Sequence, residues 1–258
     1  MRFLVGLFSL FPLVSAFATE ANLGATELID LGHPMIQATA SRLTDGLHSD
    51  REKAVAIHDF VRDEISYGFS SKYYDQKASE VLRKRRGFCN TKGTLFIALL
   101  RAAKIPARQH FVDISPEILS GILDPGTAWL DHSYTEVWLG GKWIAVDSYI
   151  VDPEMFYAAL KRLREEDLHC GYGVHRYGSL TWDGRSDSFS QFVQGAGGSK
   201  IGNRDFGVHA DARAFYAATA EASNRLSPEK RAFFPIASGS FNGRIGKLRA
   251  GLATGDRP

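Results

Sequence analysis

Arg-Arg-Gly-Phe-Cys-Asn-Thr-Lys-Gly (residues 85–93) runs straight into the apolar stretch Thr-Leu-Phe-Ile-Ala-Leu-Leu (residues 94–100). Leu95, Leu99, Ala102 and Ala103 recur at helical spacing, and Ile105-Pro106 stops the pattern, so the spacing predicts a helix over 90–104. Cys89 then lies at or just before the first helical turn. There the free N–H groups and the positive end of the helix favour a thiolate over a thiol. Arg83, Lys84, Arg85 and Arg86 add positive charge, which solvent and salt screen. Such a run is more often a solvated helix end than a phosphate site.

Two further residues complete a nucleophilic constellation. His132 opens His-Ser-Tyr-Thr-Glu-Val-Trp-Leu (132–139), and Asp147 ends Lys-Trp-Ile-Ala-Val-Asp (142–147). Val137, Trp138, Trp143, Ile144 and Val146 are strand formers, and Gly140-Gly141 between them is a hairpin signal. A two-residue loop at the glycines pairs Leu139 with Lys142 and His132 with Tyr149. Asp147 is then the diagonal neighbour of His132 on the same face of the sheet. A four-residue loop keeps this register, whereas a three-residue loop puts the two side chains on opposite faces. In the favourable register Asp147 fixes the imidazole tautomer and the other ring nitrogen faces Cys89. A single cysteine or histidine in such surroundings is usually structural. The ordered trio at a helix start and a hairpin points to a catalytic set.

The segment Gly-Phe-Cys-Asn-Thr-Lys-Gly-Thr-Leu-Phe-Ile-Ala-Leu-Leu-Arg-Ala-Ala-Lys-Ile-Pro-Ala-Arg (87–108) resembles the nucleophile helix of transglutaminase-like proteins, G-x-C followed by an apolar helix and R-A-x-G-I-P-A-R. His132, Tyr134, Glu136 and Val137 resemble that family's H-A-W-x-E-V strand, and Trp143 to Asp147 its W-x-x-V-D strand. The likeness also takes in the helix at 50–65 and Tyr67. It departs at Lys104, where a Gly is usual, and at Ser133-Tyr134, where Ala-Trp is usual. The resemblance implies an α+β, papain-related fold in which a helical part carrying the nucleophile packs on an antiparallel sheet carrying His and Asp. It also implies a Cys89-His132-Asp147 triad acting on amides. Tyr134, at the departure, is a candidate cleft residue, and so is Trp129, which lies three residues before His132 and would either cover the thiol or fill the core. It leaves open hydrolysis as a protease or amidase, protein cross-linking, and a non-catalytic peptide- or glycan-binding protein on the same fold. Arylamine N-acetyltransferases are a further alternative, since their R-G-G-x-C resembles Arg85 to Cys89; an exported chain would not meet cytosolic acetyl-CoA. The C-G-S-C-W pattern of papain-type proteases is missing.

Composition agrees with an ordinary globular enzyme. The chain of 258 residues is 44% apolar, enough for a full core. A formal charge of +2 argues against a dedicated nucleic-acid binder. Arg2, the apolar run Phe3 to Leu13 and Ala16-Phe17-Ala18 read as a signal peptide over residues 1–18, so the mature chain starts at Thr19 in the periplasm or outside the cell. Stable membrane insertion after cleavage is not expected, and the partner is a peptide or protein substrate. Only Cys89 and Cys170 are present, and a catalytic Cys89 requires free thiols. His169, Cys170 and His175 match no familiar zinc spacing, and neither metal nor cofactor is expected.

Around the catalytic core at 49–168, residues 19–48 form an N-terminal segment and 169–258 a Gly-rich C-terminal extension. Further helices are expected near 27–29, over 34–43, over 50–65 behind a Ser49–Glu52 capping box, and at 78–84, 153–168 and 209–224. A strand is expected at 107–114, and the linker 115–131 walls one side of the cleft. The Gly- and Arg-rich last dozen residues read as a mobile tail.

Overall fold

The structure is a computed structural model that describes residues 20–192, 204–220, 222, 225 and 227–251. The stretch read as a signal peptide lies outside the described residues. The architecture is α+β. Helices α1 (Pro34–Thr44), α2 (Asp50–Glu64), α3 (Ala78–Lys84) and α4 (Cys89–Ala102) lead into strand β3 (Ala107–Ile114). Two-residue strands β1 (Ser66–Tyr67) and β2 (Arg86–Gly87) pair in parallel between these helices. The hairpin of β4 (Leu130–Leu139) and β5 (Lys142–Val146) follows, then α5 (Pro153–Glu165) and the small hairpin of β6 (Cys170–Gly171) and β7 (Val174–His175). The described chain closes with β8 (Asp205–His209), α6 (Ala212–Ala218) and α7 (Pro228–Ala250). Among the described residues no helix is long and apolar enough to cross a membrane.

The expected capping box is present. Ser49 accepts from the Glu52 amide at 3.2 Å, and Glu52 accepts from the Ser49 amide at 3.0 Å. No helix forms at 27–29; a short 3-10 turn at Ala21–Leu23 precedes irregular backbone there. Helix α4 is buried from Cys89 to Arg101, which makes it the axis of the core. Even Lys92 is swallowed, its ammonium donating to the Ile65 carbonyl at 2.5 Å. Burial holds its pKa down at about 7, with Asp152 acting against that. At the far end of α4, Lys104 adopts φ +65°, and the Ile105 amide closes back on the Leu100 carbonyl at 2.9 Å. The family's usual glycine suits this left-handed helix stop, and here a lysine adopts the same conformation at a cost of about 1 kcal/mol.

The four-stranded sheet has the order β5-β4-β3-β8 and is antiparallel throughout. Gly140 and Gly141 both have positive φ, as a two-residue I′ turn needs, and Leu139 pairs with Lys142. Gln109, Ser133, Thr135 and Tyr149 face α4. The Gln109 amide reaches the Asn90 carbonyl at 3.2 Å, and Thr135 meets Tyr149 at 2.8 Å. By strand alternation His132, Tyr134 and Asp147 belong to the other face. That face carries a smaller apolar cluster containing Val112, Leu130, Tyr134 and Phe192.

Three parts of the chain beyond residue 168 bear on the core. Strand β8 pairs with β3 and completes the sheet. The segment Asp187–Phe192 runs beside β5 through the Val146–Ser188 bridge. Helix α7 lies along α5 and is tied down by its C-terminal half. Asn242 exchanges both hydrogen bonds with the Phe69 backbone at 2.9 and 2.8 Å, and Arg244 donates to the Ile122 carbonyl at 2.9 Å. Arg249 donates to the Tyr67 carbonyl at 2.9 Å and to Asp152 at 2.5 Å. Of the last dozen residues, expected to be mobile, 247–250 are helical, and 252–258 lie outside the described residues. Pro235, Gly239, Gly243 and Gly246 weaken its intrinsic preference, and tertiary contacts override that.

Candidate active site

The turn before α4 dictates where the thiol sits. Gly87 pairs with Tyr67, and its carbonyl accepts from the Gly68 amide at 2.9 Å. A Cβ at Gly87 would come within 2.7 Å of Thr91 Oγ1 and 2.9 Å of the Lys92 side chain. Only glycine lets the chain fold this tightly into the helix. Thr91 Oγ1 accepts from the Phe88 amide at 3.0 Å, satisfying one free donor of the first turn. Cys89 is therefore the first helical residue, 9% exposed at the floor of a cavity of about 360 Å³.

His132 and Asp147 meet, although the strand pairing ends at Thr135–Val146 and the expected His132–Tyr149 pair does not form, the Tyr149 hydroxyl meeting Thr135 instead. The Nε2–H of His132 donates to Asp147 Oδ2 at 3.0 Å, with the two residues 2% and 0% exposed. With Nε2 spent on Asp147, Nδ1 is the nitrogen left for Cys89, one of the groups that act on the imidazole. Burial alone would lower the His132 pKa. The hydrogen bonds and charges of Asp147 and Cys89 outweigh it and raise the value to about 9.

Asp147 owes its place to a segment that no sequence pattern singled out. Its carboxylate accepts from the backbone amides of Ser190 at 2.5 Å, Gln191 at 3.2 Å and Phe192 at 2.7 Å. The Ser190 hydroxyl adds a contact at 3.2 Å. A carboxylate so cradled is fixed in place and aimed at the imidazole. Backbone donors leave no side-chain signature, which is why these partners escaped the sequence reading. The Phe192 ring stacks near His132 with centroids 6.4 Å apart.

Beneath the thiol lies a buried polar network. Asn90 Oδ1 accepts from Ser133 at 2.7 Å and faces Cys89 Sγ at 3.7 Å. Asn90 Nδ2 donates to the Tyr216 hydroxyl at 2.9 Å, and that hydroxyl donates to Asp131 at 2.5 Å. The Tyr216 ring stacks on Tyr74 with centroids 3.9 Å apart. Asn90, which follows Cys89, and Asp131, which precedes His132, were available as sequence signals.

A second Ser-His-Asp chain adjoins the first but is closed to substrate. His58 Nε2 meets Ser148 at 2.8 Å and His58 Nδ1 meets Asp59 at 2.9 Å, yet His58 and Ser148 are both 0% exposed. The other candidates fall as follows. Arg83 to Arg86 are exposed, and Arg85 faces Glu64 at 3.4 Å. Trp129 is half-buried and does not line the cavity. Tyr134 on β4 is buried, stacked on His110 at 4.8 Å and on Phe192 at 5.3 Å, and does not line the cavity either. The linker 115–131 does supply a wall, with Ile118, Leu119, Leu123, Pro125 and Thr127. Both cysteines are free, and the described residues contain no group of three potential metal ligands.

Residues 37–148 match the model of the transglutaminase-like superfamily, a span that contains Cys89, His132 and Asp147. A solved structure of a candidate cysteine protease from Cytophaga hutchinsonii is similar at 23% identity and a TM-score of 0.44, over 55% of this chain and 46% of that one. A second, a candidate protease from Parabacteroides distasonis, is similar at 19% identity and a TM-score of 0.35, over 51% of this chain and 25% of that one. The similarity thus spans less than half the length of either. No curated protein gives a significant match.

Proposed function

We propose that this chain, whose residues 37–148 match the model of the transglutaminase-like superfamily, is a cysteine hydrolase cleaving amide bonds of peptides or proteins. The observation that carries the reading is Cys89 at the first turn of α4 beside an imidazole whose far nitrogen is held by the buried Asp147.

His132 Nδ1 takes the thiol proton, and the thiolate attacks the carbonyl carbon. The developing oxyanion lies near the Cys89 amide, which at the first helical position has no intrahelical acceptor. The imidazolium passes its proton to the leaving nitrogen, the C–N bond breaks, and the acyl group remains as a thioester on Sγ. His132 then removes a proton from water, the hydroxide attacks the thioester carbon, and the acid leaves as the thiol reforms. Asp147 stays a carboxylate throughout and stabilises the charged imidazole.

Water is favoured over an amine as acceptor because Asp131, the one carboxylate lining the cavity among the described residues, accepts from Tyr216. The reading of residues 1–18 places the work in the periplasm or outside the cell. The test is intact-mass analysis after exposure to p-nitrophenyl acetate. An acetyl adduct on Cys89, absent from Cys89→Ala and strongly reduced in His132→Ala, is expected. No adduct on a folded protein would overturn the proposal in favour of a binding role for the cleft.

A further inference from the structure

We infer that the cavity above Cys89 is an acyl pocket for a large apolar side chain, aromatic or branched aliphatic, and that α7 sets its size. The inference rests on the amide-cleaving role proposed for Cys89 and names the substrate class of that site.

The cavity of about 360 Å³ suits one or two bulky side chains. Its lining is aromatic, organised around Phe69. That ring meets Phe88 at 5.1 Å, Phe241 at 5.8 Å and Phe234 at 6.3 Å, centroid to centroid. Tyr73 stacks on Phe88 at 4.9 Å and touches Phe234 at 4.4 Å.

Of the polar side chains in the lining beyond Cys89 and His132, three are engaged elsewhere, and the Tyr67 and Tyr73 hydroxyls belong to rings that are themselves buried. Thr127 donates to the Trp129 carbonyl at 2.7 Å, the Gln191 side chain donates to the Gly173 carbonyl at 2.7 Å, and Asp131 accepts from Tyr216. Arg225 is exposed at the surface end. An apolar side chain entering here gains by burial against these rings, whereas a glutamine or glutamate gives up its water for few polar groups.

The roof is α7, whose Phe234, Ala237 and Phe241 face the cavity. Asn242, Arg244 and Arg249 fix its position from below. Ala237 is the small residue in that roof, so its size limits what fits beneath.

The test compares N-acetyl phenylalanine, leucine, alanine, glutamine and glutamate p-nitroanilides, which share one leaving group. The phenylalanine and leucine donors should exceed glutamine and glutamate in kcat/KM by at least about tenfold. In Ala237→Phe the phenylalanine donor should lose far more than the alanine donor. Calorimetric binding of N-acetyl-phenylalaninamide and N-acetyl-glutaminamide reads the pocket with no chemistry, and the first should bind at least about tenfold more tightly. Equal affinities, or a glutamine donor as good as phenylalanine, overturn the acyl pocket. Selective binding without cleavage of any anilide instead overturns the catalytic proposal and leaves the pocket standing.

Discussion

Cys89 and Cys170 each have a histidine near at hand, yet their surroundings make different chemistry of the same side chain. Cys89 begins the buried helix α4 and faces an imidazole backed by Asp147. Cys170 lies on β6 with His175 opposite it on β7. Its thiol faces the Glu117 carboxylate at 3.9 Å, and burial and that negative charge push its pKa up to about 11. His175 has its own pKa lowered by burial, then by His169, and spends Nδ1 accepting from the Tyr177 amide at 3.2 Å. A histidine near a cysteine is therefore not enough. The pair becomes reactive when a buried carboxylate stands behind the imidazole and the thiol meets a helix N-terminus rather than another anion.

The most drastic way to break this contrast is to remove one thiol at a time. Cys89→Ala should lower amide hydrolysis by roughly 10⁴- to 10⁶-fold, whereas Cys170→Ser should leave kcat/KM within about twofold. Asp147→Asn comes next. It turns an amide NH₂ towards the Ser190–Phe192 donors or the imidazole, and kcat should fall by roughly 10³- to 10⁴-fold. Chemical denaturation should show a loss of about 2–4 kcal/mol for the same variant.

The pH dependence sharpens the contrast further. The folded His132 pKa of about 9 lies above its ordinary 6.5, so folding favours the protonated ring. Its stabilising contribution is complete below about pH 6.5 and is lost as pH rises through about 9. Unfolding curves at pH 6, 8 and 10 should show this loss, and His132→Gln should flatten it.

Smaller effects are expected from the support beneath the thiol. Tyr216→Phe breaks the bridge between Asp131 and Asn90, which should cost about 1–3 kcal/mol of stability and reduce kcat by less than about tenfold. At the opposite end of α4, Lys104→Gly relieves the left-handed backbone and should stabilise by about 1 kcal/mol, with the reactivity of both cysteines unaltered.

Much of the site is readable from local pattern. Helical periodicity places Cys89, and the glycine pair sets the register that joins His132 to Asp147. The sequence reading could not see what holds these residues in place. The donors to Asp147 are backbone amides more than forty positions downstream, and any residue other than proline supplies one. The roof helix α7 carries a proline and several glycines, so local preference argued against it while Asn242, Arg244 and Arg249 fix it by contacts distant in sequence. Trp129 and Tyr134 lie close to His132 in the chain, but proximity along a strand does not decide which face or cavity a side chain serves.

The central claim is that His132 activates Cys89 and that nothing comparable activates Cys170. The most direct measurement is the rate of iodoacetamide labelling at each cysteine between pH 5 and pH 11, resolved by peptide mass mapping, in the native protein and in His132→Ala. The account predicts rapid labelling of Cys89 already at pH 6, well below the ordinary thiol pKa of about 8.5, lost by at least about a hundredfold in His132→Ala. Cys170 should react only as the pH approaches 11. Labelling of Cys89 that follows an ordinary thiol profile in both proteins would contradict it.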